Sequence, residues 1–438
     1  MGITGIPVEI VSRSAPPRAH DMMDARVNRC AGIAAVLVTL MCPPSLCRQS
    51  GDEALLARAR ANILENIRRL PNYTCTQTVH RTRFEASPPV RNTTCAQMVM
   101  IQPPQTKAWT DRYKLDVTVS QGGEIFSWPG NRHFRNQTLE EVIGADGMTG
   151  TGDFGPFLTS IFGGNSSRYE YIGREENLAA YNYQVPVSAS QYQIKVGTKL
   201  ATVAYGGKFW IDPETAELRH LTIEVQQPTP TSDTCFIDNE IDYRRSAING
   251  SSFVMPESTI IVLLDDEGTR YENRVDYGSC REFHSESVFR TDVPTATGEA
   301  PSEKRLIVIP SGIAVKVALR SKIDSRTAFA GDAIEGELTT ALQGSKGSLL
   351  APKGAIVHGE LVRFEERFVP SHYTLLGLNF DSLEVNGGQV PLELIPVPRS
   401  RADRALGGAI EKAQGIGMFL FPGDDLPDRD FISEWKTK

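Results

Sequence analysis

Strict alternation of side chains along residues 73–80 is the feature that most constrains this fold. Every second residue there is bulkier or more apolar, and the residues between them are three threonines and a histidine. A period of two is typical of a β-strand with one buried face. The side chains expected on that face are Tyr73, Cys75, Gln77 and Val79.

Similar short segments recur along the first two thirds of the chain, separated by Gly, Asn and Asp residues that favour turns. They predict further strands at Cys95 to Ile101, Tyr113 to Val119, Tyr181 to Val185, Leu200 to Trp210, Leu218 to Val225, Phe253 to Leu264 and Arg270 to Asp276.

A helix is predicted to precede these strands. Asp52 suits its N-cap, apolar residues follow at steps of three and four up to Leu70, and Pro71 stops it. One apolar stripe and one charged face describe a helix that lies on a sheet. Residues 48–290 are therefore predicted to form a helix-covered antiparallel half-barrel, which makes the chain mostly β within the α+β class.

A second domain is expected because 438 residues exceed what one hydrophobic core usually organises. Residues 291–304 carry almost no large apolar side chains and are interpreted as a linker. Alternation resumes at Ile313, Val315, Val317 and Leu319, and Asn386 begins a Gly-rich hairpin turn. We predict a small β-barrel domain over residues 305–438, with a last strand at 431–435.

The N-terminal segment has the pattern of a signal peptide that starts at Met22 or Met23. Two arginines precede a short apolar run from Cys30 to Cys42, and small residues near Cys47 suit cleavage after that residue. The run is too short to span a bilayer. Residues 1–47 are thus predicted to be a leader, and the mature chain to be periplasmic or extracellular without a transmembrane helix. Anchoring as an outer-membrane lipoprotein is the alternative.

Removal of the leader leaves four cysteines, Cys75, Cys95, Cys235 and Cys280. In an oxidising compartment an even number predicts two disulfides, and the lack of a Cys-x-x-Cys pair disfavours zinc. Three pairings of four cysteines exist. We predict Cys75 with Cys95 and Cys235 with Cys280, because each pair is closest in sequence.

Charge and motifs exclude several function classes. The 46 basic and 53 acidic residues are spread evenly, so nucleic acid is not an expected partner. Gly150 to Gly155 match G-x-G-x-x-G, but no apolar strand leads into them, so they are interpreted as a loop that opens a short helix at 156–162. No Gly-x-Ser-x-Gly elbow and no paired histidines occur. We predict no catalytic residues, no metal and no cofactor.

Adjacent acidic residues are the feature that keeps a carboxylate-dependent hydrolase open as an alternative. In turns such pairs are usually just solvated. They occur at Glu140-Glu141, Glu175-Glu176, Asp265-Asp266, Glu365-Glu366 and Asp424-Asp425, the last within the densest acidic cluster of the chain.

A concentration of large apolar side chains around residues 154–162 supplies the candidate ligand site. These residues are predicted to stand at the opening of an apolar hollow between the first helix and the sheet, and the alternative is a helix that simply fills the core. The predicted ligand-binding residues are Phe154, Phe157, Leu158, Ile161, Phe162 and Trp210.

Three resemblances add to this interpretation. Residues 207–215, continuing to 218–225, resemble a hairpin of LolA-like and RseB-like lipoprotein carriers, which are helix-covered half-barrels that hold acyl chains. Residues 313–320, 328–332 and 351–355 resemble the β-barrel domain of TrbI-like secretion-channel proteins. The whole chain is similar to exported bacterial envelope proteins of uncharacterised activity that carry Leu70-Pro-Asn-Tyr-Thr-Cys75.

The expected function is therefore that of an exported, non-enzymatic envelope protein that binds a lipid, lipoprotein or protein partner. Two alternatives stay open: a secreted hydrolase that uses carboxylates, and a purely structural assembly component. An apolar hollow would favour the carrier, a carboxylate-lined pocket the enzyme, and a filled core the assembly component.

Overall fold

The fold is taken from a computed structural model, which describes residues 44–90, 93–120, 123–130, 139, 143, 155–196, 199–226, 233–283, 309–344, 347–398, 415–429 and 431–438. Residues 1–43 of the predicted leader, the predicted linker and Phe154 lie outside these residues. The helices are α1 (Pro44–Arg69), α2 (Cys95–Ile101) and α3 (Pro156–Phe162). Among the described residues, none of the helices is both long and apolar enough to cross a membrane.

Most of the described chain is β-strand, as predicted. The strands are β1 (Tyr73–Ala86), β2 (Gln105–Ser120), β3 (Gly123–Ser127), β4 (Arg168–Glu175), β5 (Leu178–Val185), β6 (Gln193–Val196), β7 (Lys199–Thr202), β8 (Tyr205–Ile211), β9 (Leu218–Gln226), β10 (Thr234–Ile248), β11 (Ser251–Asp265), β12 (Arg270–Glu282), β13 (Ala314–Leu319), β14 (Ala333–Leu338), β15 (Leu342–Gln343), β16 (Leu349–Ala351), β17 (Ile356–Arg367), β18 (Tyr373–Val385), β19 (Gly388–Pro391), β20 (Leu394–Val397), β21 (Gly417–Pro422) and β22 (Ile432–Thr437).

The N-terminal half is one antiparallel sheet in the order β4-β5-β8-β9-β10-β11-β12-β1-β2-β3. Its inner face carries Phe209, Leu221 and Ile241 in one row and packs against α1 and α3. Its outer face carries the neighbouring row that contains Trp210 and His220. The two faces differ because successive side chains along a strand point to opposite sides.

Three predicted elements differ from the structure. Residues 95–101 form helix α2 instead of a strand, because Thr94 and Gln97 make a capping box that starts a helix. The single strand predicted from Leu200 to Trp210 is two strands, β7 and β8. Helix α1 begins at Pro44, eight residues before Asp52, so Asp52 is not its N-cap. The predicted cleavage point after Cys47 lies within this helix and stays a prediction.

The disulfide pairing predicted from sequence proximity is wrong. Cys75 bonds to Cys280 and Cys95 to Cys235, with Cα–Cα distances of 4.1 and 4.9 Å. The reason is topology: β1 pairs with β12, so the first and last long strands of this half lie side by side. Cys95 starts α2, which contacts β10, the strand that contains Cys235.

The C-terminal half forms an antiparallel ladder in the order β20-β22-β13-β14-β17-β18-β21, with β19 also paired to β18. Val315, Val317 and Leu319 are buried as the alternation predicts. Asn386 and Gly387 turn with φ of 52° and 75°, which confirms the predicted hairpin. The described ladders do not join β20 to β21, so the predicted small β-barrel is not shown.

The two halves share one sheet. Strand β2 pairs with β17 through Glu365 and Asp111, among others, and a parallel bridge joins Tyr113 to Ala330. Arg81 is 1% exposed and donates two hydrogen bonds to Asp111 on the neighbouring strand. Glu365, also 1% exposed, accepts hydrogen bonds from arginines on either side of it in β17. Removal of one partner of such a buried pair is strongly destabilising, so the stability of this junction depends on these pairs.

Candidate binding surface

The predicted lid residues of α3 lie in the core of the N-terminal half. Phe157 and Leu158 are 4% and 6% exposed, and Ile161 and Phe162 are fully buried. The short helix 156–162 is itself confirmed, with Pro156 in its first turn. The burial agrees with the alternative interpretation, in which this helix fills the inner face of the sheet. A ligand-binding role for these residues stays a prediction.

Aromatic rings close the space between α3 and the inner face. The Phe162 ring meets the Phe209 ring edge-to-face at 5.1 Å, and the Tyr181 ring stacks on Phe209 at 5.1 Å. Phe157 meets Tyr192 at 5.1 Å. Such pairs contribute about 0.5–1.5 kcal/mol each beyond their buried area. This part of the inner face is a packed aromatic core.

Helix α1 holds α3 in place. The Arg60 guanidinium donates hydrogen bonds to the carbonyl oxygens of Phe162 and Gly164, at 3.0 and 2.8 Å. It thereby satisfies carbonyls at the C-terminal end of α3, which have no partner within the helix. The same guanidinium lies 5.4 Å from the centre of the Tyr169 ring. Opening α3 as a lid would break all of these contacts.

A cleft of about 220 Å³ lies between α1 and the sheet, and its lining is largely polar. Glu217 is 7% exposed and accepts a 2.8 Å hydrogen bond from Nε of Arg245. Asn62 and Asn66 face the same cleft from α1. An acyl chain placed here would desolvate these polar groups without replacing their hydrogen bonds, which costs free energy. The cleft is therefore a poor site for an apolar ligand.

Trp210, the remaining predicted ligand residue, lies on the outer face. Its indole nitrogen donates to a Glu175 carboxylate oxygen at 2.9 Å, and its ring lies 4.8 Å from the His220 ring. Because Phe209 and Trp210 are successive residues of β8, the sheet separates Trp210 from the α3 residues. Of the five predicted ligand residues that the structure describes, Trp210 is therefore separated from the other four.

A polar row continues from Trp210 across the outer face. His220 Nδ1 is 2.7 Å from Asp242 Oδ1, and Ser258 Oγ donates to Asp242 Oδ2 at 3.1 Å. In a serine-hydrolase triad the histidine stands between the serine and the acid and takes the serine proton. Here the acid stands in the middle, so His220 cannot activate Ser258. The row orders the outer face and offers no nucleophile.

An open groove of about 910 Å³ lies at the β4 end of the outer face. Its floor includes Gly206 and Gly207, where a Cβ atom would come within 2.9 Å of the Tyr183 carbonyl oxygen and 2.2 Å of the Thr222 carbonyl oxygen. Bare backbone is therefore required at this point. The groove is lined by aromatic and apolar residues, among them Tyr169, Tyr183 and Tyr205, and by charged and amide side chains, which are Arg168, Glu170, Asn182, Gln184, Lys208 and Glu224.

Sequence reasoning missed this groove. Strands β4 and β10 were not predicted, and the groove needs β4 beside β5 and β8. The available signal was Gly206-Gly207 within a predicted strand, since glycines inside a strand indicate close backbone approach. Near the groove, burial and the charges of Glu240 and Glu224 raise the pKa of Asp238 to about 6.

Strand β4 is the edge of the sheet beside this groove. It pairs with β5 on one side, and the part of the chain that the structure describes places no strand on its other side. Its outer positions include Arg168 and Glu170, and Ile172 is 38% exposed. An edge strand presents unpaired N–H and C=O groups to which another extended chain can bond.

The acidic pairs noted in the sequence lie in different environments in the structure. Glu175 bonds to Trp210, Asp265 accepts N–H groups of its own turn, and Glu365 lies buried between arginines. Glu366 and Asp424, from two different pairs, lie near each other beside His372. Glu140-Glu141 lies outside the described residues.

Comparison with known proteins returned one weak likeness. No family model and no curated protein matches the chain. A LolA superfamily protein from Nitrosomonas europaea is similar over 54% of this chain and 94% of its own length, with 9% identity and a TM-score of 0.22. This superposition is too loose to assign the chain a fold family or a ligand. The resemblance to TrbI-like barrels has no support from these comparisons.

Proposed function

We propose that this chain is an exported, non-enzymatic envelope protein that binds an extended segment of a partner protein at the β4 edge and its groove. The observation that carries the proposal is the contrast between a filled inner face and an open outer groove, lined by charged and aromatic residues, beside a strand that has no second neighbour among the described residues. Two disulfides suit an oxidising compartment and support export.

Recognition in this proposal combines backbone and side-chain contacts. A partner segment that lies along β4 extends the sheet through main-chain hydrogen bonds, which give affinity without sequence preference. Arg168 and Lys208 then select acidic side chains of the partner, and Glu170 and Glu224 select basic ones. The C-terminal half acts as a rigid support, because its ladder to β2 fixes its orientation.

Lipid or lipoprotein carriage, expected from the sequence, has less support. The aromatic core fills the inner face, and the cleft beside α1 is polar. The wild-type protein is therefore expected to leave a fluorescent fatty acyl probe unbound at micromolar concentration. Saturable probe binding that Phe157→Ala weakens would restore the carrier function in place of this proposal.

The direct test is selection of a displayed random peptide library on the purified, oxidised protein. Enriched peptides should bind the wild type with micromolar Kd, and Arg168→Glu with Lys208→Glu should weaken them at least tenfold. Lys436→Glu, an exposed lysine on β22, is the matched control and should change nothing. Failure to enrich any peptide, or equal binding by both variants, would overturn the proposal.

A further inference from the structure

Three side chains that can bind a metal converge where β17, β18 and the turn after β21 meet. Glu366 lies at the end of β17, His372 directly precedes β18, and Asp424 follows β21. Their ligand atoms all lie within 4.8 Å of one another. The three residues are far apart in sequence, so the strand pairing alone creates this cluster.

The backbone fixes the three positions. Glu366 lies opposite Thr374 in the β17–β18 ladder, and the Gly423 N–H donates to the His372 carbonyl oxygen at 3.0 Å. The Thr374 hydroxyl donates to the Gly423 carbonyl oxygen at 2.7 Å. These bonds tie the Asp424 turn to the strand that begins beside His372, so the cluster does not depend on flexible loops.

The distances suit a shared ion better than direct hydrogen bonds. His372 Nε2 is 4.0 Å from Glu366 Oε1 and 3.6 Å from Asp424 Oδ1, both beyond hydrogen-bonding range. Ligands placed about 2.0–2.1 Å from a tetrahedral zinc ion stand roughly 3.4 Å from one another. By contrast, His220 and Asp242 of the same chain meet at 2.7 Å in a direct hydrogen bond.

The imidazole is held in one plane by Phe368. The two rings stack with centroids 4.8 Å apart and an angle of 17° between them. Glu366 is half-buried, with 16% of its side chain exposed, whereas the side chains of His372 and Asp424 are 35% and 64% exposed. A bound ion would thus be supported from the protein side and open to solvent beyond Asp424.

Two positively charged side chains near the cluster limit its affinity for a metal ion. The Arg112 guanidinium lies over the Phe364 ring at 4.2 Å and donates to the Ser325 carbonyl oxygen. Lys107 Nζ lies 4.0 Å from the centre of the Phe368 ring. Both attract the Glu366 carboxylate, although burial still raises its pKa. Neither supplies a direct ion pair that would replace a metal between the three ligands.

We infer that Glu366, His372 and Asp424 form a binding site for a divalent first-row transition metal, with Zn²⁺ as the representative ion. One imidazole and two carboxylates match the ligand preferences of this class, and the two negative charges balance the ion. Solvent completes the coordination. A bound ion would link the ends of three strands next to the junction between the halves.

Zinc titration calorimetry on the tag-free, oxidised full chain tests this site. We expect one site of micromolar or tighter affinity that 1 mM Mg²⁺ or Ca²⁺ does not displace, since those ions prefer oxygen ligands. Asp424→Asn and His372→Ala should each weaken that site at least tenfold. His358→Ala is the matched control, because His358 has a single carboxylate, Glu335, at 3.9 Å.

A variant that is expected to strengthen zinc binding, instead of weakening it, provides a second test. Lys107→Gln removes a competing charge from an exposed position and should tighten zinc binding a fewfold. Circular dichroism of each variant confirms folding before titration, and Asp424→Asn, as a conservative change at an exposed side chain, retains the fold. Absence of the site in the wild type, or equal zinc affinity of Asp424→Asn and His358→Ala, would overturn the inference.

Discussion

The two faces of the N-terminal sheet place similar aromatic side chains in different environments. On the inner face Phe209 is fully buried against Phe162 of α3 and Tyr181 of β5, while its neighbour Trp210 on the outer face bonds to Glu175. Both are large aromatic residues of one strand. The difference shows that aromatic content near a glycine-rich loop does not by itself indicate a ligand cavity, because a covering helix fills one face and leaves the other open.

The largest effect is expected from Phe162→Asp, which tests whether the inner face is a filled core. Loss of a buried phenylalanine side chain costs about 3–5 kcal/mol, and an unpaired buried charge adds to that. We expect loss of the near-ultraviolet circular dichroism and of cooperative unfolding, because Phe162 has no exposed surface. Phe162→Leu should fold with a much smaller loss of stability. A stable, native-like Phe162→Asp protein would show that α3 is a lid.

The second effect concerns the disulfide that joins β1 to β12, the first and last long strands of this half, which lie side by side. The Cys75–Cys280 disulfide closes a loop of 205 residues, and its removal should cost about 3–5 kcal/mol. Urea unfolding of Cys75→Ser with Cys280→Ser measures this. Peptide mapping without reduction should recover Cys75 linked to Cys280, and a Cys75–Cys95 peptide would contradict the strand order.

The smallest effect tests the electrostatics of the outer face. Burial raises the pKa of Asp238 from 3.8 to about 6, with help from Glu240 and Glu224. A raised carboxyl pKa adds stability below pH 4, and this contribution is lost as the pH rises through 6. After allowance for solvent screening, Asp238→Asn should stabilise the protein by about 0.5–1 kcal/mol at pH 8.

Unfolding of Asp238→Asn and the wild type at several pH values checks this prediction. The variant should show a flatter dependence between pH 4 and 6 than the wild type. Parallel pH profiles would mean that Asp238 titrates normally and that the outer face near the groove is fully solvated.

Local sequence patterns predicted many of the strands, but they did not predict which strands distant in sequence lie side by side. Alternation located β1, β9, β13 and the hairpin at Asn386, because burial on one face leaves a period of two in the sequence. The disulfides failed because the partners of Cys75 and Cys95 depend on sheet order. The groove and the Glu366 cluster were missed for the same reason, since each is assembled from strands that lie together only in the folded chain.

The most direct test of an outer binding surface is hydrogen–deuterium exchange of the wild type with and without a selected peptide. The account predicts added protection in residues 168–175 and 205–211, which form β4 and β8. Helices α1 and α3 should exchange as in the free protein. Protection confined to residues 44–69 and 156–162 would contradict the account and place the ligand at the inner face.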